Sequence, residues 1–339
     1  MTREPDETAA PSFARAYAEI VSRFSADLAD VEAAITGNLG PSNELLEAMA
    51  SHVVTSGGKR LRPLLVILCA RLNGHEGDGH VALGNAVEYL HAATLMHDDV
   101  LDKAEVRRGA PSVNALWGNH LAVLGGDFLY TTAFDILLRS APREVIRVLC
   151  RCSLDLVEGE VLQRRWRNRP EIDEETYLAI VARKTASLIS GCCRTGALIA
   201  GADGATVEAL ARFGERLGMA FQVTDDALDY FADPARLGKV IGGDLRQGTV
   251  TLPLIHLLRR EGIAREQARI RGFVERGEVD DGAIDEIAAL LRDQRCGESA
   301  MARAAEFAAD ARAALAPLAG TELHAALTAA ADYVINRDF

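Results

Sequence analysis

Phe13, Tyr17, Ile20, Val21, Phe24, Leu28 and Val31 recur at helical intervals, which predicts one amphipathic helix from Ser12 to about Gly37. Pro41-Ser42-Asn43 opens a second helix that stops at Gly57-Gly58, and Pro63 suits the first turn of the next. A long helix is predicted from about His80 to Lys103, with Val87, Leu90, Ala93 and Thr94 on its inner face. Arg107-Arg108-Gly109-Ala110-Pro111 breaks it. The following helix contains Gly125-Gly126-Asp127, where small residues permit a close crossing. Another, from about Arg143, runs through Glu158-Gly159-Glu160 to Arg164-Arg165-Trp166-Arg167-Asn168-Arg169, a charge run that reads as a solvated terminus. Two more apolar-periodic runs carry Arg183-Lys184-Thr185 and, after Gly214 and Gly218, Phe221-Gln222. The Gly- and charge-rich stretch Ala232 to Gly248 reads as a loop suited to a lid. Beyond Leu252-Pro253 the pattern is of amphipathic helices that complete the core and a subunit contact.

Composition sharpens this to an all-α expectation. Ala and Leu dominate, strand-like alternation of β-branched residues is scarce, and a hydrophobic content of 49% is ample for a large core. The net charge of −12 argues against nucleic acid, which needs a basic stripe. Cys150 and Cys152 are one residue apart and Cys192 and Cys193 adjacent, so no zinc-like spacing appears, and the cysteines read as small buried residues in a reducing compartment. The polar, acidic N-terminus is unlike a signal peptide and no uninterrupted apolar run approaches membrane-spanning length, so the expectation is a soluble, cytoplasmic protein. A lipid product could still bring it to a membrane surface.

The chemistry lies in two near-repeats, Asp98-Asp99-Val100-Leu101-Asp102 and Asp225-Asp226-Ala227-Leu228-Asp229. On a helix, the first and last Asp of each cluster share a face, and three like charges crowd one turn. One such triplet is usually a solvated surface; a second copy with the same apolar approach and basic sequel is not explained that way. Carboxylate oxygen suits Mg²⁺, which takes one or two carboxylates plus phosphate oxygens and water, so two clusters can grip a diphosphate through bridging metals. Lys59 and Arg62, three apart at a helix start, read either as a basic cap or as a phosphate clamp. His91 lies about two turns before Asp98, and is either a satisfied core residue or a ligand. Arg107 and Arg108 are suited to bidentate phosphate capture, and Lys184 within an apolar helix needs an anion. Residues that must meet on one substrate run from Lys59 to Lys239, so the expected organisation is a loose tail, 1–11, and one domain, 12–339.

Gly57-Gly58-Lys59-Arg60-Leu61-Arg62-Pro63, Asp98-Asp99-x-x-Asp102, Arg107-Arg108-Gly109, Lys184-Thr185, Phe221-Gln222-x-x-Asp225-Asp226-x-x-Asp229 and Gly238-Lys239 together resemble the trans-isoprenyl diphosphate synthases. The likeness is nearest to bacterial long-chain members of the octaprenyl type. It implies an isoprenoid-synthase helical bundle around a central substrate cavity, usually a homodimer. It also implies repeated addition of isopentenyl diphosphate to an allylic diphosphate such as farnesyl or geranyl diphosphate, in the service of isoprenoid quinones. By the same resemblance, Asp98, Asp102 and Asp225 bind Mg²⁺, three ions when diphosphate is present, with Asp99, Asp226 and Asp229 in support. Arg107, Lys184 and Lys239 hold the allylic diphosphate; Lys59, Arg62, His91 and Arg108 hold isopentenyl diphosphate; Thr185 and Gln222 line the path of the cation.

Ala93, five residues before Asp98, stands where short-chain relatives carry a bulky residue, so with Leu90 and Thr94 it implies an open tunnel and a long product. Thr249 stands where the family usually has a Lys, and Arg246 is the candidate to replace that charge. Three alternatives are a non-catalytic regulatory subunit, a shorter-chain synthase of the geranylgeranyl or farnesyl type, and a terpene cyclase. The complete second cluster and Lys59/Arg62 argue against the last.

Overall fold

The helical periodicity is realised almost throughout the computed structural model, which describes residues 12–39, 43–55, 60–231, 241–277 and 279–336. The tail 1–11, Gly57-Gly58-Lys59, Gly238-Lys239 and most of the expected lid lie outside the described residues. Among those described, the only strands form a two-residue pair, so the all-α expectation holds.

The first predicted helix is two, α1 (Ser12–Arg23) and α2 (Ser25–Gly37). The chain bends at Phe24, whose ring enters the core beneath the Arg23 guanidinium. Asn43 opens α3 (Glu44–Thr55) as predicted: its side-chain oxygen accepts from the backbone N–H of Leu45 and Leu46 at 3.0 and 3.2 Å. Next come α4 (Leu61–Arg71) and α5 (Gly79–Asp102), and Lys103 in the left-handed region ends α5. The predicted break after α5 is an unforeseen hairpin, β1 (Val106–Arg107) with β2 (Ala110–Pro111). Positive φ at both Arg108 (51°) and Gly109 (80°) supplies the two-residue turn that such a hairpin favours.

A short α6 (Val113–Trp117) leads to α7 (Asn119–Ser140) and α8 (Arg143–Arg165). Then α9 (Glu174–Val181) passes through a π-helical turn, Ala182–Ala186, into α10 (Ser187–Ile199), and α11 (Gly204–Phe231) follows. The remaining helices are α12 (Gly243–Arg246), α13 (Leu252–Leu257), α14 (Ala264–Arg276), α15 (Asp281–Asp293), α16 (Cys296–Ala314) and α17 (Glu322–Asn336).

Helices α4, α5, α10 and α11 run through the core, with α7 against α5 and α16 along α11. Small residues set the crossings, as predicted. A Cβ on Gly125 would lie 2.5 Å from the Met96 methyl, and one on Gly218 would lie 2.5 Å from Ala186 Cα. The second contact presses α11 against the π-helical turn, which brings Lys184 and Thr185 beside the second aspartate cluster.

One expectation changes: five cysteines are buried, but Cys150 is exposed; all six are free thiols. Among the described residues one helix, α7, passes by length and apolarity for a membrane span, with mean hydropathy 1.5, and its inner face packs on α5. The exposed large apolar side chains among the described residues fall between Leu45 and Val161.

Candidate active site

Each aspartate cluster sits at the C-terminal end of its helix, where carboxylates oppose the helix dipole. The π-helical turn lies between them and contributes Lys184. Its ammonium is 2.5 Å from Glu160 Oε2 and 3.5 Å from Asp98 Oδ2. It is also near enough to Asp244 to oppose the rise of that carboxyl. Lys184 therefore joins the first cluster to Glu160, and the anion it needed is found. Gly159 on α8 makes this possible, because a Cβ there would stand 2.7 Å from the Lys184 backbone nitrogen.

In the first cluster Asp98 and Asp102 are partly open and Asp99 is buried. Asp99 Oδ1 accepts from Arg107 Nε at 2.5 Å, so the hairpin is tied to the end of α5. Asp102 Oδ1 accepts from Arg164 at 2.6 Å. The Arg-rich end of α8 is thus not merely solvated: its first arginine lies in the site, because it needs only one turn of α8 to span Glu160 and Asp102. Burial raises the Asp98 and Asp99 carboxyls above their usual range, against the pull of Lys184 on the first and Arg107 on the second.

In the second cluster Asp225 is exposed, while both oxygens of Asp226 are committed to the protein. Tyr177 donates to Asp226 Oδ2 at 2.6 Å and Gln222 Nε2 donates to Oδ1 at 2.7 Å. Thr185 in turn donates to the Gln222 oxygen at 2.8 Å, so Thr185, Gln222 and Asp226 form one relay from the π-helical turn to α11. Asp229 caps α12 by accepting from the backbone N–H of Gly243 and Asp244, each at 3.2 Å. Asp226 is pushed up to about 7 by burial, against Tyr177 and Gln222, with the Asp225 and Asp229 charges adding to the rise. Asp244, which drew no notice in the sequence, is raised well above its ordinary value by burial and then by the charges of Asp226, Asp229 and Asp225. Its acidity and its neighbours are visible only once the chain returns across α11.

This crowding of carboxylates fits a hard divalent cation. Among the described residues no three His, Cys, Asp or Glu side chains are gathered to hold an ion unaided. That agrees with Mg²⁺ chemistry, in which one or two carboxylates are completed by substrate phosphate and water.

A second, basic pocket lies one helix away. Arg62, in the first turn of α4, is half-buried, and its Nε is buried without a hydrogen-bond partner. Arg60, at φ 47°, bonds the two carboxylates Glu32 and Glu88 and donates to the Val54 carbonyl at 2.6 Å. His91 is held neutral: burial first, then the guanidiniums of Arg62, Arg108, Arg107 and Arg60, keep it well below its usual value. The sequence left His91 open between core and ligand; the fold puts it among arginines rather than with the aspartates. Arg108 is lowered by burial and by its basic neighbours, with Glu88 opposing. A guanidinium with a buried, unpartnered Nε, beside further arginines and a neutral imidazole, suits a phosphate.

Ala93 and Leu90 are completely buried in α5 and Thr94 is half-buried, donating to the His91 carbonyl at 2.7 Å. Arg246 does not face the clusters by its recorded bonds; its guanidinium is 2.6 Å from the exposed Asp281. The residues missed in the sequence are Glu160, Arg164, Tyr177 and Asp244. Only the spacing of Glu160 and Arg164, four apart on one helix, could have flagged a pair.

The sequence profile of the polyprenyl synthetase family matches residues 43–291. The chain belongs to the polyprenyl synthetase family. It is 38% identical over 314 residues to the octaprenyl diphosphate synthase of Escherichia coli (strain K12), covering 92% of this chain and 96% of that protein. It is also 38% identical over 317 residues to the nonaprenyl diphosphate synthase of Mycobacterium tuberculosis, covering 92% of each. The polyprenyl synthase of Caulobacter crescentus CB15, solved with calcium and isoprenyl diphosphate, superposes with a TM-score of 0.90 at 37% identity, over 94% of this chain and 97% of that one. The chain is therefore a prenyltransferase on a polyprenyl synthetase fold.

Proposed function

We propose that this enzyme makes long all-trans polyprenyl diphosphates of octaprenyl-like length, by repeated addition of isopentenyl diphosphate to farnesyl or geranyl diphosphate. The observation that carries this reading is the presence of two carboxylate clusters, the first of them facing Lys184, together with a separate group of arginines around His91, which accounts for two diphosphates at once. Mg²⁺, three ions with bound diphosphate, would be held by Asp98, Asp102 and Asp225, and supplies positive charge to the departing diphosphate. Asp99, Asp226 and Asp229 hold Arg107, the Tyr177–Gln222 pair and α12 in place around those ligands. Arg107 and Lys184, with Lys239, neutralise the leaving group so that the allylic C–O bond can ionise. Arg62, His91 and Arg108, with Lys59, hold isopentenyl diphosphate so that its double bond attacks the allylic carbon; the proton then lost passes to the released diphosphate. The oxygens of Thr185 and Gln222 face the developing cation as fixed dipoles.

Product length is read from α5. The small, buried Ala93 beside Leu90 and Thr94 leaves room for a growing chain beneath the first cluster. The long products named for the 38%-identical relatives support the same reading.

A homodimer is supported by an apolar face on the outside of the bundle. Leu154, Val157 and Val161 are 57%, 59% and 64% exposed along one side of α8, next to Leu124 and Leu138 of α7 at 55% and 70%. Apolar residues at this spacing form a self-complementary stripe suited to an isologous contact. The enzyme would work in the cytoplasm for isoprenoid quinone synthesis, meeting the membrane only when its product leaves.

The test is turnover by the purified chain alone, with Mg²⁺, farnesyl diphosphate and labelled isopentenyl diphosphate, the dephosphorylated products being sized by mass spectrometry. Products of seven to ten isoprene units are expected. Three or four units would make it a shorter-chain synthase, and no turnover with any allylic primer would return it to the role of a regulatory subunit.

A further inference from the structure

Glu160 stands at the centre of a charge network that the reaction as described does not use. Its two oxygens hold two cations: Lys184 Nζ at 2.5 Å and Arg164 Nε at 2.7 Å. Each of those cations also faces one aspartate of the first cluster. Lys184 is 3.5 Å from Asp98, and Arg164 is 2.6 Å from Asp102 while it donates to the Leu101 carbonyl at 3.1 Å. Arg167 adds a more distant cation, 3.9 Å from Asp102. The glycine before Glu160 lets α8 approach the backbone of the π-helical turn, where a Cβ at position 159 would stand 2.7 Å from the Lys184 backbone nitrogen.

Three carboxylates, Asp98, Asp102 and Glu160, thus face three cations, Lys184, Arg164 and Arg167. In the protein as it stands the aspartates have protein cations where a metal would be. A metal–diphosphate must displace Arg164 from Asp102 and draw Lys184 from Asp98 towards phosphate, and Glu160 remains to receive both. Without the Glu160 charge, three cations would face two aspartates, which would then bind them more tightly and yield less readily to metal.

We propose that Glu160 is a positioning residue that divides Lys184 and Arg164 between itself and the first aspartate cluster, and so sets how readily Asp98 and Asp102 accept a divalent metal with diphosphate. This rests on the metal–diphosphate reading of the clusters given above. Glu160 is not placed in contact with substrate; it acts through the two cations.

The decisive measurement is binding without turnover: Mn²⁺ followed by electron paramagnetic resonance in the presence of inorganic pyrophosphate, on the full chain. Glu160→Gln should weaken Mn²⁺ binding by roughly tenfold, the size of a lost charge-assisted hydrogen bond. Arg164→Gln should shift it the other way, because it removes the competitor at Asp102, and the double variant should fall back near the parent. The half-saturation for isopentenyl diphosphate should not move in any of them. Unchanged Mn²⁺ binding in a folded Glu160→Gln protein would overturn the proposal, as would weaker binding in Arg164→Gln. If Glu160→Gln does not fold, Arg164→Gln decides alone, tighter binding supporting the proposal and unchanged or weaker binding ending it. Absence of Mn²⁺ binding in the parent chain would instead overturn the metal–diphosphate reading, and this inference with it.

Discussion

Ala93 and Asp226 show how much single side chains decide here. Ala93 is fully buried in α5, five residues before the first cluster, and a ring there would take up volume that a methyl group does not. Ala93→Phe should therefore shorten the product by several isoprene units, with the enzyme still folded, as mass spectrometry of the dephosphorylated lipids would reveal; an unchanged product length would remove Ala93 from the tunnel. Asp226 makes a prediction in pH. Burial pushes its carboxyl up to about 7 in the folded protein, against an ordinary value of 3.8. A raised carboxyl contributes stability that is fully present below the unfolded value and is lost as pH rises towards the folded one. The melting temperature of the metal-free enzyme should thus carry a downward contribution from this group between pH 4 and 7. Asp226→Asn, which mimics the protonated carboxyl, should flatten that slope when melting is followed in a chelating buffer.

At the scale of elements, the site depends on a close three-way approach of α8, the π-helical turn and α11. An extra residue in a helical turn redirects the side chains that follow, and such turns are frequent at functional sites. Here it carries Lys184 towards the clusters and Thr185 to Gln222. Gly159 and Gly218 clear its two flanks, and the Cβ of an alanine at position 159 would meet backbone at 2.7 Å. Gly159→Ala should cost about 1–3 kcal/mol of stability, as overpacking does, measured by urea titration. It should also lower kcat together with the affinity for allylic diphosphate, since Lys184 must move with its turn. A variant with normal kinetics would show that the approach serves packing alone.

At the scale of the whole molecule, the apolar face of α7 and α8 is the feature that a lone chain leaves unexplained. Leu154 and Val157 lie one turn apart, both more than half exposed. Placing a charge at each, as in the double variant Leu154→Asp with Val157→Asp, should convert a dimer to a monomer in size-exclusion chromatography with light scattering. Both positions are solvent-facing within the chain, so the helical signal in circular dichroism should stay the same. A monomeric parent protein would dispose of the interface. Among the C-terminal helices α16 lies along α11 and α17 packs on α1, where Tyr17 stacks on Tyr333 at 4.0 Å.

The helical class, most helix boundaries and the two aspartate clusters were legible in the sequence because each depends on local quantities. Apolar spacing sets which face of a helix is buried, Asn43 caps its own helix, and a repeated Asp-Asp-x-x-Asp is a repeat wherever the chain goes. The bend at Phe24, the turn at Arg108-Gly109 and the seat of Arg164 were not, because each depends on what the chain meets after folding. Glu160 and Arg164 looked like an ordinary surface pair on one helix, and Asp244 like one acid in a loop. Their importance comes from partners 15, 24 and 62 residues away in the chain: Asp229 beside Asp244, Lys184 on Glu160, and Asp102 across from Arg164. Long-range electrostatics of this kind has no periodicity to betray it. Local spacing determined the helices and named the aspartates; only the tertiary packing decided which cations stand against them, because charge interactions depend on distance in space and not on distance along the chain.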